Sequence, residues 1–252
     1  MMSLLAIDIG NTNITAGLFK GSKLSGKVKV PTFSYSSYIR RFKALIKEAG
    51  LEINSVNEAT ISSVVPLALA RLAIELRRMS GTMKITIIGR DLKVPIRNMY
   101  KVKNDVGQDR LVNAFAAKVL YGTPAVIIDF GTAITFDIVS KKGDYLGGLI
   151  LPGIELSLSS LYRNTALLPK VELERTSSII GKDTVNSIRG GILFGFGAMC
   201  DGLTAKYRKI LGKSVRVIAT GGNSKLMKRY AISIQYVNEN LTLKGLQLIS
   251  KI

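Results

Sequence analysis

Two stretches of this sequence place a carboxylate and small polar side chains where an apolar strand meets a turn. In "DIGNTNIT" (8–15), Asp8 closes an apolar run and Gly10, Asn11, Thr12 and Asn13 follow it. In "DFGTAITFD" (129–137), Asp129-Phe130-Gly131-Thr132 repeats Asp8-Ile9-Gly10-Asn11 at an offset of 121 residues (129 − 8), close to half the 252-residue chain. A third junction, 220–224, runs from a strand into Gly-Gly. Glycine lets a backbone approach phosphate oxygens, and hydroxyl or amide side chains can donate hydrogen bonds to them. The aspartate cannot bind phosphate directly, but it can hold the cation that neutralises it or orient a metal-bound water. One such turn alone reads as an ordinary polar turn; two at equivalent positions read as the halves of a nucleotide clamp.

Any proton chemistry beside that clamp must use a carboxylate, a tyrosine or a lysine. The chain has no histidine, which excludes a Ser-His-Asp triad, a His-ligated zinc site and an imidazole base. Asp109 is the foremost candidate base, with Asp105 its nearest competitor. Asp is also a preferred helix N-cap, and a helix is expected to start at Asp109, so both readings stand. Arg110 can pair with a substrate carboxylate through both guanidinium nitrogens, or form a surface ion pair. Tyr100 reads equally as core packing or as a substrate wall.

These residues need a scaffold, and the composition supplies one. Apolar residues make up 47% and charged residues 21%, a globular balance. No apolar run approaches the ~18 residues of a membrane span, and the N-terminus lacks a basic region, so no signal peptide is expected. The single cysteine, Cys200, lies in an apolar helical stretch, reads as a buried structural thiol and fits a reducing cytoplasm. The formal charge is +19, from 36 Lys and Arg against 17 Asp and Glu. The basic residues are dispersed as in "YIRRFKALIKEAG" (38–50), the spacing of solvated helix faces. Duplex DNA binding is therefore expected to be non-specific and salt-sensitive.

The elements alternate. Helices are expected at 35–49 closed by Gly50, at 67–79, at 110–121 closed by Gly122, and at 184–211 capped by Asp183 and ended by Gly212. Strands are expected at 59–65, ending at Pro66, at 84–89, on either side of each Asp-x-Gly turn, and from 215. This predicts an α/β fold of two similar domains with mixed sheets flanked by helices, 1–121 and 122–252, the last helix packing back on the first domain. The Gly-rich "GGILFGFGAM" (190–199) falls inside a helical pattern and reads as close helix packing. There is no G-x-x-x-x-G-K-[ST] loop and no credible G-x-G-x-x-G after a strand.

Five stretches in order, "DIGNTN" (8–13), "VGQDRLVNA" (106–114), "DFGTAITFD" (129–137), "GGLILPGI" (147–154) and "IGKDT" (180–184), closely resemble the signatures of type III pantothenate kinases. That family belongs to the acetate and sugar kinase/Hsp70/actin superfamily, with ribonuclease H-like (actin-like ATPase) domains. The resemblance implies ATP-dependent phosphorylation of pantothenate, the first step to coenzyme A, in a cytoplasmic homodimer. It implies that Asp8, Ile9, Gly10, Asn11, Thr12, Asn13, Ile14 and Thr15 wrap the ATP phosphates, with Asp8 near Mg2+ and Thr132 also on ATP. It implies that Asp129 binds K+ or NH4+, that Tyr100, Gly107, Gln108, Asp109, Arg110 and Thr184 hold pantothenate, and that Asp109 is the base. Gln108 stands where the family usually has alanine, Ile134 where threonine is common, and Asp183 where asparagine is common. Two other readings are a non-catalytic accessory factor for gene expression with nucleic-acid affinity, and a kinase for another small hydroxylated acid.

Overall fold

The computed structural model describes residues 3–252, and among them ten strands form two five-stranded sheets. The first sheet contains β1 (Ser3–Ile9), β2 (Asn13–Lys20), β3 (Lys23–Pro31), β4 (Val56–Ser63) and β5 (Lys84–Ile87), in the order β3-β2-β1-β4-β5. The second contains β6 (Ala125–Phe130), β7 (Ala133–Val139), β8 (Tyr145–Pro152), β9 (Arg216–Thr220) and β10 (Tyr236–Val237), in the order β8-β7-β6-β9-β10. Directions match as well. β2 and β7 run antiparallel to their neighbours, while β1–β4, β4–β5, β6–β9 and β9–β10 are parallel. The expected mixed α/β architecture with a repeated first hairpin is what the chain adopts.

The chain divides into two compact units. One holds the chain up to Ile96 with Lys101–Ala116 and Leu241–Ile252; the other holds Arg97–Tyr100 and Ala117–Asn240. In the first unit, one face of the sheet presents Leu5, Ile7, Ile9, Ile14, Ala16 and Ile61 to α1 (Tyr38–Glu48) and α2 (Pro66–Met79). Strands alternate their side chains, so the other face carries Leu4, Ala6, Asp8, Thr15 and Ser62. Gly17 on that face lets Leu243 of α7 (Leu241–Ile249) approach, and Gly245 of α7 lies within van der Waals contact of Val112 in α3 (Gln108–Tyr121). In the second unit, Val126, Ile128, Phe130, Ile134, Phe136 and Ala219 pack against α4 (Ile154–Arg163) and α5 (Thr184–Leu211).

Local chemistry explains most element ends. α5 spans the expected 184–211: the Asp183 carboxylate accepts the Asn186 N–H at 2.8 Å, and Gly212 ends the helix at φ +100°. Gly197 abuts the Tyr230 backbone, with α6 (Ser224–Met227) just before it, so part of the Gly-rich stretch does serve close packing, though Gly191 and Gly195 face open space. Cys200 is fully buried and its thiol is pushed up to about 12 by burial, an inert structural group. Several expectations shift at their edges: the strand expected at 59–65 runs Val56–Ser63, and the one expected at 84–89 stops at Ile87. Pro66 is the first residue of α2 because proline suits the first helical turn, and a 3₁₀ turn over Tyr35–Ser37 precedes α1.

Candidate active site

Asp8 lies near the C-terminal end of β1, paired in register with Thr15 on β2 and Ser62 on β4. Because Ile7, Ile9, Ile14 and Ile61 face the helices, Thr15, Asp8 and Ser62 form a polar row on the opposite face. The turn beyond Asp8 is tied at both ends. The Gly10 N–H donates to the Asn13 carbonyl at 3.0 Å, the Thr32 N–H donates to the Thr12 carbonyl at 3.0 Å, and the Thr32 hydroxyl donates to the Gly10 carbonyl at 2.6 Å. The buried Tyr38 hydroxyl in turn donates to the Thr32 carbonyl. Asn11 and Thr12 are left exposed, and Asp8, Gly10, Asn13 and Thr15 are half-buried. Ile9 and Ile14 are fully buried, so a ligand can meet only their main chain.

The start of α3 differs from the sequence expectation. The helix begins at Gln108, and the Gly107 carbonyl accepts the Arg110 N–H at 3.1 Å, so Gly107 and not Asp109 occupies the cap position. A Cβ at Gly107 would come within 2.4 Å of the Asp109 Oδ1 and push that carboxylate from its place, while the Val64 side chain lies in ordinary contact. The Asp109 carboxylate accepts the N–H of Arg110 at 2.9 Å. Burial raises its pKa above the ordinary carboxylate range, only partly offset by that N–H and the Arg110 guanidinium. Asp105, the competitor, is exposed in a 3₁₀ turn.

Val64, whose N–H donates to the Ile9 carbonyl at 3.1 Å, links this helix start to the end of β1. The site residues of the first unit therefore gather at the C-terminal ends of parallel strands, where α/β sheets bind ligands. Arg110 is buried, which removes the surface ion pair as its role. The Gln108 carboxamide lies over Gly89, where an added Cβ would come within 2.7 Å of its Cδ.

In the second unit, Asp129 pairs in register with Thr135 on β7 and Thr220 on β9, a second hydroxyl–carboxylate–hydroxyl row. The Thr135 hydroxyl donates to Asp137 at 2.9 Å, as does Tyr145 at 2.9 Å. Gly221, at φ +86°, presses against the Asp129 carboxylate and the Phe130 carbonyl, so no side chain fits there. Thr132 is exposed at the turn tip, and its carbonyl accepts the N–H of Gly153 at 3.1 Å. The Tyr100 ring covers Gly147 of β8, where an added Cβ would lie 3.2 Å from it. Thr184 is the exposed first residue of α5 and lines an open groove of about 600 Å³ with Asp183, Lys182 and Ser187.

Sequence reasoning missed Thr32, Ser62, Gly153 and Thr220 as partners of these turns, because each acts through pairing between distant strands. One signal was available: Pro31-Thr32 and Pro152-Gly153 also stand 121 residues apart (152 − 31). Among the described residues no group of three or more His, Cys, Asp or Glu could hold a metal. One carboxylate with neighbouring hydroxyls is a donor set that fits Mg2+, which usually takes one or two carboxylates and keeps waters and substrate phosphates as its other ligands.

The family model of the type III pantothenate kinases matches residues 4–206. A protein of Anaeromyxobacter sp. (strain Fw109-5) named type III pantothenate kinase is 39% identical over 252 residues, covering 98% of each chain. Component A of (R)-2-hydroxyglutaryl-CoA dehydratase from Acidaminococcus fermentans has a similar structure, with a TM-score of 0.55 at 13% identity over 99% of this chain and 96% of that one. The inorganic polyphosphate/ATP-glucomannokinase of Arthrobacter sp. strain KM gives 0.50 at 14% identity over 98% of both chains. The structural likenesses, both at under 25% identity, speak to the fold alone. The length and identity of the sequence match go further: this chain belongs to the type III pantothenate kinase family.

Proposed function

We propose that this chain transfers the γ-phosphoryl group of ATP to the 4′-hydroxyl of pantothenate, with Asp109 as the general base. The observation that carries the reading is the position of Asp109: a half-buried carboxylate with a raised pKa, at the same strand ends as the Asp8 turn. A base whose pKa lies closer to neutrality is better matched to taking a hydroxyl proton near pH 7. Phosphoryl transfer depends mainly on positioning and on neutralising charge. The main-chain N–H groups of 10–13 and the side chains of Asn11 and Thr12 would meet the phosphates, with Thr132 at the second turn. Asp8 would hold the Mg2+ that accompanies ATP, and that ion would supply neutralisation of phosphate charge when bound.

Asp129 would hold K+ or NH4+, with the backbone of Gly221 packed directly against its carboxylate. Tyr100, Gly107, Gln108, Arg110 and Thr184 would line the pantothenate side. The kinase names of the relatives weigh against a non-catalytic accessory factor. A cytoplasmic homodimer remains the proposed form, and among the described residues no helix is long and apolar enough to cross a membrane.

A coupled ADP-release assay with pantothenate, with and without K+, tests the reading. Pantothenate-dependent ADP release stimulated by K+ is expected, and Asp129→Ala should remove the stimulation and raise the KM for ATP. Absence of release with pantothenate would overturn the substrate, and indifference of the wild type to K+ and NH4+ would overturn the role of Asp129.

A further inference from the structure

Ser62 is fully buried, and its hydroxyl has no hydrogen-bond partner in the structure. That is unusual, because buried hydroxyls nearly always find one. Its neighbour Ser63 does so, accepting the Val65 N–H at 3.0 Å. Ser62 stands directly beside Asp8 in the parallel register of β1 and β4, on the same face, where adjacent strands are ~4.8 Å apart. The second sheet puts Thr220 at the matching place beside Asp129, so both aspartate rows carry a hydroxyl on the same parallel neighbour.

We propose that Ser62 is a positioning residue of the metal–nucleotide site, its hydroxyl donating to a water of the divalent cation held at Asp8. The inference rests on the reading of Asp8 as the Mg2+ residue and adds a group that this reading does not contain. Magnesium keeps much of its water shell, and a single carboxylate cannot orient that shell alone. A hydroxyl on the adjacent strand supplies the outer hydrogen bond that orients such a ligand. An unpartnered hydroxyl on the strand beside Asp8 is the complement of this role.

Mn2+ is the probe, read by electron paramagnetic resonance and water-proton relaxation with a non-hydrolysable ATP analogue. Binding of the same analogue in EDTA and the melting temperature of ligand-free protein are measured in parallel. Ser62→Ala should weaken Mn2+ binding in the ternary complex by about threefold to tenfold, the range of one hydrogen bond. Its metal-free nucleotide affinity should be unchanged and its melting temperature equal or slightly higher, because an unsatisfied buried group has been removed. Ser62→Thr, which mirrors Thr220, should stay near wild type. A Ser62→Ala protein that melts lower and binds Mn2+ normally would make the hydroxyl a packing group and overturn the proposal, as would equal weakening with and without metal. Asp8→Asn separates the two readings. If it abolishes Mn2+ binding while Ser62→Ala leaves it intact, only the role of Ser62 falls; if Asp8→Asn itself binds Mn2+ normally, both fall.

Discussion

The two aspartate turns share strand order, direction and register, yet they are held by different chemistry. In each unit the edge strand ends in proline, and the next residue donates its N–H to the turn, Thr32 to Thr12 at 3.0 Å and Gly153 to Thr132 at 3.1 Å. The first turn is one residue longer, since Asp8 pairs with Thr15 whereas Asp129 pairs with Thr135. That extra residue leaves room for the Thr32 hydroxyl to reach the Gly10 carbonyl. The second turn closes so tightly on the start of α4 that a side chain at 153 would strike the carbonyls of Gly131 and Thr132. One backbone bond is thus common to both halves, and turn length decides whether a hydroxyl or a glycine completes it. The units also differ in what stands beside the turn. The first carries Asp109, with its raised pKa, whereas the second carries the buried Asp137 bonded to Tyr145 and Thr135.

The largest effect should come from the residue that makes the halves unequal in chemistry. Asp109→Asn is expected to lower kcat by ~10²–10⁴, about 3–5 kcal/mol of transition-state stabilisation. Because Gly107 holds the cap position, the melting temperature should hardly change at low pH. Burial raises the pKa of Asp109 in the fold, so its protonated form is favoured there, and its contribution to stability is lost as pH rises through that raised value. The Asn variant should therefore gain stability relative to wild type as pH increases. Wild-type kcat should fall on the acid side through a limb above the ordinary carboxylate range, and the variant should lack that limb. Retention of kcat within about tenfold would remove the base assignment.

Next comes the tight half of the comparison. Gly153→Ala should cost about 1–3 kcal/mol through overpacking against the turn carbonyls, read by denaturant unfolding, and should raise the KM for ATP. Thr32→Val, nearly the same shape, should cost only about 0.5–1.5 kcal/mol through the lost hydrogen bond to Gly10, with a smaller rise in KM. If alanine at 153 is tolerated as well as valine at 32, the distinction between the two turns is broken.

The smallest effect is expected at an exposed cap. Hydrogen bonds from the N–H and the side-chain amide of Asn186 hold the pKa of Asp183 below its ordinary value. Its stabilisation is thus present above the ordinary carboxylate range and lost as pH falls through the depressed value. Asp183→Ala should lower the melting temperature slightly near neutral pH and not at strongly acid pH. Loss of the cap at the start of α5 should also weaken pantothenate binding under the proposed role of Thr184, a check on that role.

How legible each element is in the amino-acid sequence follows from how local its signal is. The two Asp-x-Gly turns, the apolar central strands, the burial of Cys200 and the whole of α5 depend on residues within a few positions of one another. A cap, a stop and a periodic face are sufficient for them. The strands β3 and β8 are not among the expected elements, although β3 carries a period-2 alternation weakened by Ser25 and Gly26. Both lie at sheet edges; "KLSGKVKVP" alternates lysine with partly buried residues, and β8 contains Gly147, Gly148 and Pro152. An edge strand pairs on one side only and needs little apolar patterning of its own.

Composition and short-range pattern by themselves determined the α/β class, the repeated hairpin, the exclusion of imidazole chemistry and the candidates Asp8, Asp109 and Asp129. Tertiary structure alone decided that α3 begins at Gln108 with Gly107 in the cap position, where Val64, the residue after β4, packs against it. It alone set Ser62 beside Asp8, Thr220 beside Asp129, and Thr32 and Gly153 against their turns. The physical reason is common to all of these. A register pairing or a carbonyl bond between residues tens of positions apart is fixed only when whole sheets assemble, and nothing in the local sequence encodes which hydroxyl will then stand next to which carboxylate.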